Sequence, residues 1–198
     1  MLPAQWQKQC AMTSEKELLR RRIMRELQLS EQTYLIEADK DIAENLFGTP
    51  EYRAAKTIYT YLSVEREPDT RAIITRALTE GKTVALPVCE PKGMMYPRRL
   101  SSLDDLISGT YGIPVPPETE PRIDENELDV ILVPAAAYDV EGFRLGRGGG
   151  YYDRLLSRCG AYSVGLARER QLVWRVPREA HDQAVDCLIT EKTVARLR

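Results

Sequence analysis

Among 198 residues there is one histidine, His181, and four cysteines, Cys10, Cys89, Cys159 and Cys187. No two cysteines form a CxxC pair and none shares metal-ligand spacing with His181, so the natural expectation is a reduced cytoplasmic protein without a structural zinc. No segment supplies the ~20 consecutive apolar residues that span a bilayer. The N-terminus, with Trp6, Lys8 and Glu15, lacks the apolar stretch of a secretory signal. A net charge of −2 provides no basic field for nucleic acid or an anionic membrane, so neither partner is expected. Arg20, Arg21, Arg22 and Arg25 read as the solvated face of a helix. Internal repeats, low-complexity tracts, a Walker A loop and a dinucleotide GxGxxG fingerprint are all missing.

What is present suits one globular domain over residues 1–198, with a loose leader at 1–13: apolar residues make up 43%, enough for a substantial core at this length. Ser14 followed by Glu17 has the form of a capping box and predicts a helix to about residue 29. Leu35, Ala38, Ile42 and Leu46 repeat at helical spacing and predict a second over 31–47. Strands are predicted over 57–63, 83–89, 128–134, 162–167 and 184–190, with helices over 70–79 and 151–159 between them. Pro87 suggests an edge or a strand end. The proline-rich stretch 90–127 reads as a loop-rich excursion with one short helix near 103–107. Strands alternating with helices imply an α/β fold, a mostly parallel central sheet flanked by helices in a Rossmann-like three-layer architecture.

The densest chemical signal is residues 142–153. Five of the chain's twelve glycines fall between Gly142 and Gly150, and Arg144 and Arg147 stand among them. Glycine allows positive φ and close approach of peptide N–H groups to a ligand. The helix that follows offers unpaired amides and a positive dipole end, and the arginines add planar donor forks for phosphate. The competing reading is a flexible solvent loop, which three consecutive glycines and an immediate helix start disfavour. Asp153, in the first turn of that helix, suits the dipole alone, or Mg²⁺ if phosphate fills the loop.

Other candidates leave alternatives open. Lys16 and Arg20 share the helix face of Leu19, Ile23 and Leu27. They either meet an anion, from protein or ligand, or snorkel to water. Asp186 interrupts an apolar strand, either on its outward face or as a ligand group. Glu67 follows a strand end, where it either binds a polar ligand or caps the next helix, and His181 reads as structural.

Taken in order, these residues resemble the 5-formyltetrahydrofolate cyclo-ligase (5,10-methenyltetrahydrofolate synthetase) family from about Ser14 to Thr190. The most specific part is Arg144, Leu145, Gly146, Arg147, Gly148, Gly149, Gly150, Tyr151, Tyr152 and Asp153, which is similar to the family's nucleotide and substrate loop. The resemblance implies ATP contacts from that run with Lys16 and Arg20. It implies folate contacts from Leu62, Glu67 and Tyr111 together with Arg147, Gly148, Gly149, Gly150 and Tyr151. Asp153 and Asp186 would hold Mg²⁺, and Arg147 would be the catalytic group. Some members carry lysine where this chain has Gly149, and others carry glycine there. The implied reaction turns 5-formyltetrahydrofolate and MgATP into 5,10-methenyltetrahydrofolate, ADP and phosphate, in a monomer or weak dimer. The rival readings are a folate or nucleotide sensor without turnover, and a sugar-phosphate isomerase or CoA-transferase relative.

Overall fold

The computed structural model of the chain describes residues 14–64, 66–90 and 93–198, the side chain of Tyr111 excepted; the expected leader lies outside the described residues. Helix α1 spans Glu15–Gln28, and Ser14 Oγ accepts the Glu17 amide at 3.2 Å, one half of the expected box. Helix α2, Gln32–Gly48, buries Leu35, Ala38, Ile42 and Leu46 as the periodicity requires. A short α3, Pro50–Ala54, starts on a Thr49 cap with proline in its first turn.

Strand β1, Thr57–Tyr59, is shorter than expected because the chain after it turns to α4, Arg71–Thr79. There the Tyr61 carbonyl accepts from Thr70 Oγ1 at 2.7 Å rather than from a strand. Next come β2, Thr83–Glu90, and β3, Met94–Leu100. The small pairs β4, Ile107–Ser108, and β5, Pro114–Val115, follow. Then come β6, Val130–Val133, β7, Ala137–Asp139, and β8, Arg144–Leu145. Helix α5 is Tyr151–Leu156; β9, Tyr162–Leu166, β10, Leu172–Val173, β11, Cys187–Ile189, and β12, Val194–Arg196, complete the chain.

The central sheet has seven strands in the order β12-β11-β9-β6-β1-β2-β3. The five inner strands run parallel, and β3 and β12 pair antiparallel at the two edges. Seven-residue β3 corrects the expectation of a loop-rich excursion with only one short helix over 90–127. Pro97 is compatible with it because its backbone faces away from β2: its carbonyl accepts from Ile123 N at 3.0 Å, and Arg99 N donates to Pro121 O at 3.0 Å. The missing proline N–H therefore costs no ladder bond with β2. The expected short helix is the 3-10 turn Leu103–Asp105.

Inner strands bury both faces, so their side chains alternate between two cores. Ile58, Val130, Leu132 and Val164 meet Ile42, Leu46, Ile73 and Ile74 of α2 and α4. Tyr59, Ile131 and Val133 meet Leu155 of α5 on the other face. Ile23 and Leu27 of α1 pack on Ala137 and Leu145, seating α1 on a separate sheet of order β10-β7-β8. Gly165 in β9 makes room for Tyr138, whose hydroxyl donates to Val133 O at 2.8 Å; a Cβ there would lie 2.6 Å from the Tyr138 ring. Gly165→Ala is expected to destabilise the protein by about 1–3 kcal/mol, read as a lower thermal midpoint. An unchanged midpoint would show that Tyr138 shifts without cost.

From β1 the chain moves to β2 on one side and later to β6, β9 and β11 on the other. The strand order therefore reverses between β1 and β6, and ligands of open α/β sheets settle outside the carboxyl ends of the strands at such a point. Two segments leave those ends: residues 60–70 after β1, and the β7–β8 hairpin with its glycine run after β6.

Candidate active site

The β7–β8 hairpin is built on Asp139, which is fully buried. Its Oδ1 accepts from Glu141 N at 3.0 Å and Phe143 N at 3.1 Å, and its Oδ2 from Val176 N at 3.0 Å and Arg178 Nη2 at 2.8 Å. The turn needs Gly142, at φ 83°, because an added Cβ would meet Leu197 at 2.5 Å. This support escaped the sequence reading: a single Asp beside Val140 carries no pattern.

The glycine run is then held by its carbonyls. Arg20 donates Nε and Nη2 to Gly146 O at 3.1 and 2.8 Å. Arg154 donates Nη2 to Gly149 O at 2.6 Å and ties the same guanidinium to Gly93 O. Gly148 and Gly150 take φ of 96° and 63°, and Gly150 is the N-cap of α5. With the carbonyls so engaged, the amides of Gly148, Gly149 and Gly150 donate to no protein acceptor among the described residues. Successive unused peptide N–H groups form an anion cradle. Because α5 is only six residues long, the loop amides rather than a helix dipole supply the field.

Lys16 and Arg20 find protein partners instead of snorkelling. Lys16 Nζ lies 2.9 Å from Asp182 Oδ2 and 3.3 Å from Glu179 Oε1. Burial works against the Lys16 charge, but its bonds to Asp182 and Glu179 prevail and its pKa rises. Arg144 is 4% exposed, donates to Gln183 O at 2.8 Å, and stands 2.8 Å from Asp153 Oδ1. Asp153 Oδ1 also accepts the Gln183 amide at 3.1 Å, so the carboxylate and the arginine hold the two successive peptide groups that flank Gln183.

Asp186 lies just before β11, where its Oδ2 accepts from Ser163 N at 2.9 Å and Ser163 Oγ at 2.6 Å. The two carboxylates share no protein partner among the described residues, yet they are alike in one respect. Each commits one oxygen to protein donors and leaves the other without a protein hydrogen bond among those residues. No group of three or more His, Cys, Asp or Glu that could hold a metal occurs among the described residues. Mg²⁺ takes as few as one or two carboxylates and completes its shell with phosphate oxygens and water, so the uncommitted oxygen of either residue suits it. Among the described residues, however, no contact brings the two carboxylates together: Asp153 faces Arg144 and Gln183, and Asp186 faces Ser163.

Across the switch point, Glu67 Oε1 stands 3.3 Å from Arg147 Nε. The Glu67 side chain is 12% exposed and that of Arg147 52%. Glu67 Oε2 accepts Val64 N at 3.0 Å, so it closes its own turn and does not cap α4, whose N-cap is Thr70. Leu62 is buried in the core beside Tyr61. Burial holds the phenols of Tyr61 and Tyr152 well above their ordinary pKa, and Tyr152 Oη has no hydrogen-bond partner among the described residues. Tyr111 contributes its backbone to the 3-10 turn Thr110–Gly112, and its side chain lies outside the described residues. The His181 side chain is 67% exposed, with Glu179 and Asp182 oxygens at 3.5 and 3.8 Å. The sequence reading missed Arg154, Asp39 and Arg168, because each acts through chain segments remote from it.

The geometry is thus a run of amides without protein acceptors among the described residues, and a half-exposed arginine that meets a carboxylate on the neighbouring strand's loop. Residues 12–191 match the model of the 5-formyltetrahydrofolate cyclo-ligase family. The chain belongs to that family. The cyclo-ligase of Mycolicibacterium smegmatis is 34% identical over 146 residues, covering 70% of this chain and 75% of its own. That of Escherichia coli K12 is 31% identical over 169 residues, covering 80% and 90%. The NMR structure of Aquifex aeolicus 5,10-methenyltetrahydrofolate synthetase aligns with a TM-score of 0.82 at 36% identity, covering 93% of this chain and 94% of that one. For a cyclo-ligase the shape of the site has a direct sense: an ATP-dependent ring closure must hold a polyphosphate and a folate face to face. No helix among the described residues is long and apolar enough to cross a membrane.

Proposed function

We propose that the chain converts 5-formyltetrahydrofolate to 5,10-methenyltetrahydrofolate at the β1–β6 switch point, with cleavage of ATP to ADP and phosphate. The Glu67–Arg147 pair carries this reading, because it joins the segment after β1 to the glycine run after β6. In the reaction the formyl oxygen attacks the γ-phosphorus and ADP leaves. The folate N10 then bonds to the activated formyl carbon, the carbon–oxygen bond breaks to release phosphate, and the N10 proton passes to solvent. Positioning and charge neutralisation are the main demands of such chemistry.

The amides of Gly148, Gly149 and Gly150 receive the phosphates. Arg147, the most solvent-accessible guanidinium of the run's two, turns to the transferring phosphoryl group. Glu67 and Leu62 form the folate side with Tyr111 and Tyr151, and Leu145, Gly146 and Tyr152 complete the wall of the ATP subsite. Arg20 and Arg144 serve ATP by fixing the loop, since both forks are committed to protein oxygens. Lys16 adds positive charge at the same end. Asp153 and Asp186 would hold Mg²⁺ through their uncommitted oxygens, and the metal would neutralise phosphate charge.

The test is the near-ultraviolet absorbance of the methenyl product from 5-formyltetrahydrofolate, with and without ATP and Mg²⁺. A signal that needs both, with ADP released, is expected. ATP binding without ADP release would instead support a sensor, and turnover without ATP would support an isomerase or transferase.

A further inference from the structure

We infer that Arg168, with Asp39 as its counter-ion, is the positioning residue of Glu67 and thereby a determinant of folate affinity; this rests on the reading of Glu67 as a substrate contact. Arg168 lies two residues beyond β9, and its side chain is 3% exposed. Its guanidinium meets Asp39 of α2 in a two-point contact, Nε to Oδ1 and Nη2 to Oδ2, both at 2.7 Å. The remaining donors do not point back into the core. Nη1 donates to Arg66 O at 2.8 Å and Nη2 to Glu67 O at 3.1 Å. Asp39 Oδ2 in turn accepts Asp69 N at 3.1 Å.

One buried ion pair therefore fixes backbone groups of residues 66, 67 and 69, the turn that presents the Glu67 carboxylate to Arg147. The two ends of that turn have their own supports: Ser63 Oγ donates to Asp69 Oδ1 at 2.7 Å, and Tyr61 Oη donates to Pro68 O at 3.2 Å. Its middle is tied to Val64 by Glu67 itself, whose N donates to Val64 O at 3.1 Å and whose Oε2 accepts Val64 N at 3.0 Å. Among the described residues, only Arg168 donates a hydrogen bond to the carbonyls of Arg66 and Glu67. Beneath the turn, between it and α2, lies a cleft of about 650 Å³ lined by Asp39, Arg66, Glu67 and Arg168. Leu35, Ile36 and Val64 line the same cleft, and the Arg168 hydrogen bonds fix the carbonyls of Arg66 and Glu67 beside it. A lysine at 168 keeps the charge, but its ammonium lacks the planar fork that reaches a carboxylate and two carbonyls together.

The experiment compares Arg168→Lys, Asp39→Asn and Glu67→Gln, and each of the first two combined with Glu67→Gln, in the full chain. It reads KM for 5-formyltetrahydrofolate, KM for ATP, kcat and the thermal midpoint. Arg168→Lys and Asp39→Asn are expected to raise the folate KM about tenfold with kcat and the ATP KM within about twofold. In the Glu67→Gln background the same changes should add almost nothing, because residues that act through one another are not additive. A purely structural pair would instead lower the midpoint and leave the folate KM unmoved, or raise it equally in both backgrounds; either result overturns the inference. If Arg168→Lys does not fold, Asp39→Asn carries the same comparison. Unchanged folate KM in Glu67→Gln itself would overturn the substrate reading of Glu67 and this inference with it. A raised KM there beside an unchanged one in Arg168→Lys and Asp39→Asn overturns the inference alone.

Discussion

Arg147→Ala is expected to lower kcat by about 10²–10³-fold while leaving the thermal midpoint almost unchanged. The asymmetry follows from exposure. The Arg147 side chain is 52% exposed, so removing it opens no cavity, and solvent at the arginine end screens its pair with Glu67, which limits what the pair contributes to stability. Its part is in the reaction, where a planar donor fork meets charge moving onto the transferred phosphoryl group. Arg147→Lys, which keeps the charge without the fork, should recover only part of the loss. Steady-state turnover with saturating ATP and folate decides the matter: wild-type kcat in Arg147→Ala would remove this residue from the mechanism.

Asp153→Ala should have the opposite profile, losing stability and turnover together. Its carboxylate faces Arg144, which is 4% exposed and cannot retreat to water. Leaving that guanidinium uncompensated costs about 3 kcal/mol, the lower end of what breaking a buried pair costs, since Asp153 itself is partly exposed. It also frees the Gln183 amide and leaves Arg144 to hold that residue's carbonyl alone. Asp153→Asn separates the two roles, because an amide oxygen still accepts from Gln183 while the charge for a metal is gone. The expected result is a midpoint nearer to wild type than that of Asp153→Ala, with a much higher Mg²⁺ requirement for turnover. Chemical denaturation and a Mg²⁺ titration read the two effects independently. An Asp153→Asn enzyme with the wild-type Mg²⁺ response would take the metal away from this residue.

Much of the architecture was legible in the chain because it is written in local patterns. The stripe Leu35, Ala38, Ile42 and Leu46 is the buried face of α2, and the apolar run around Val130 is a strand buried on both faces. Strand ends were harder to place. Residues 61–63 look like strand, yet the Thr70 hydroxyl at the start of α4 replaces the sheet as partner of the Tyr61 carbonyl and the Ser63 amide. Pro97 hid β3, since whether a missing N–H matters depends on which side a neighbour lies, and that is a property of the sheet.

By itself the sequence determined that a glycine run with two arginines sits between a buried strand and a helix, where peptide amides can meet an anion. It also determined the family to which that run belongs. Only the tertiary structure decided what each charge is for. Lys16 and Asp182 are 166 positions apart, Arg20 and Gly146 126, and Arg168 and Asp39 129. The partner of a buried charge must come within about 3 Å to offset its desolvation. No local pattern encodes such a distance: the fold brings these residues together, and it thereby ties Arg20 to the glycine run and Arg144 to Gln183, while Arg147 meets Glu67 across the switch point.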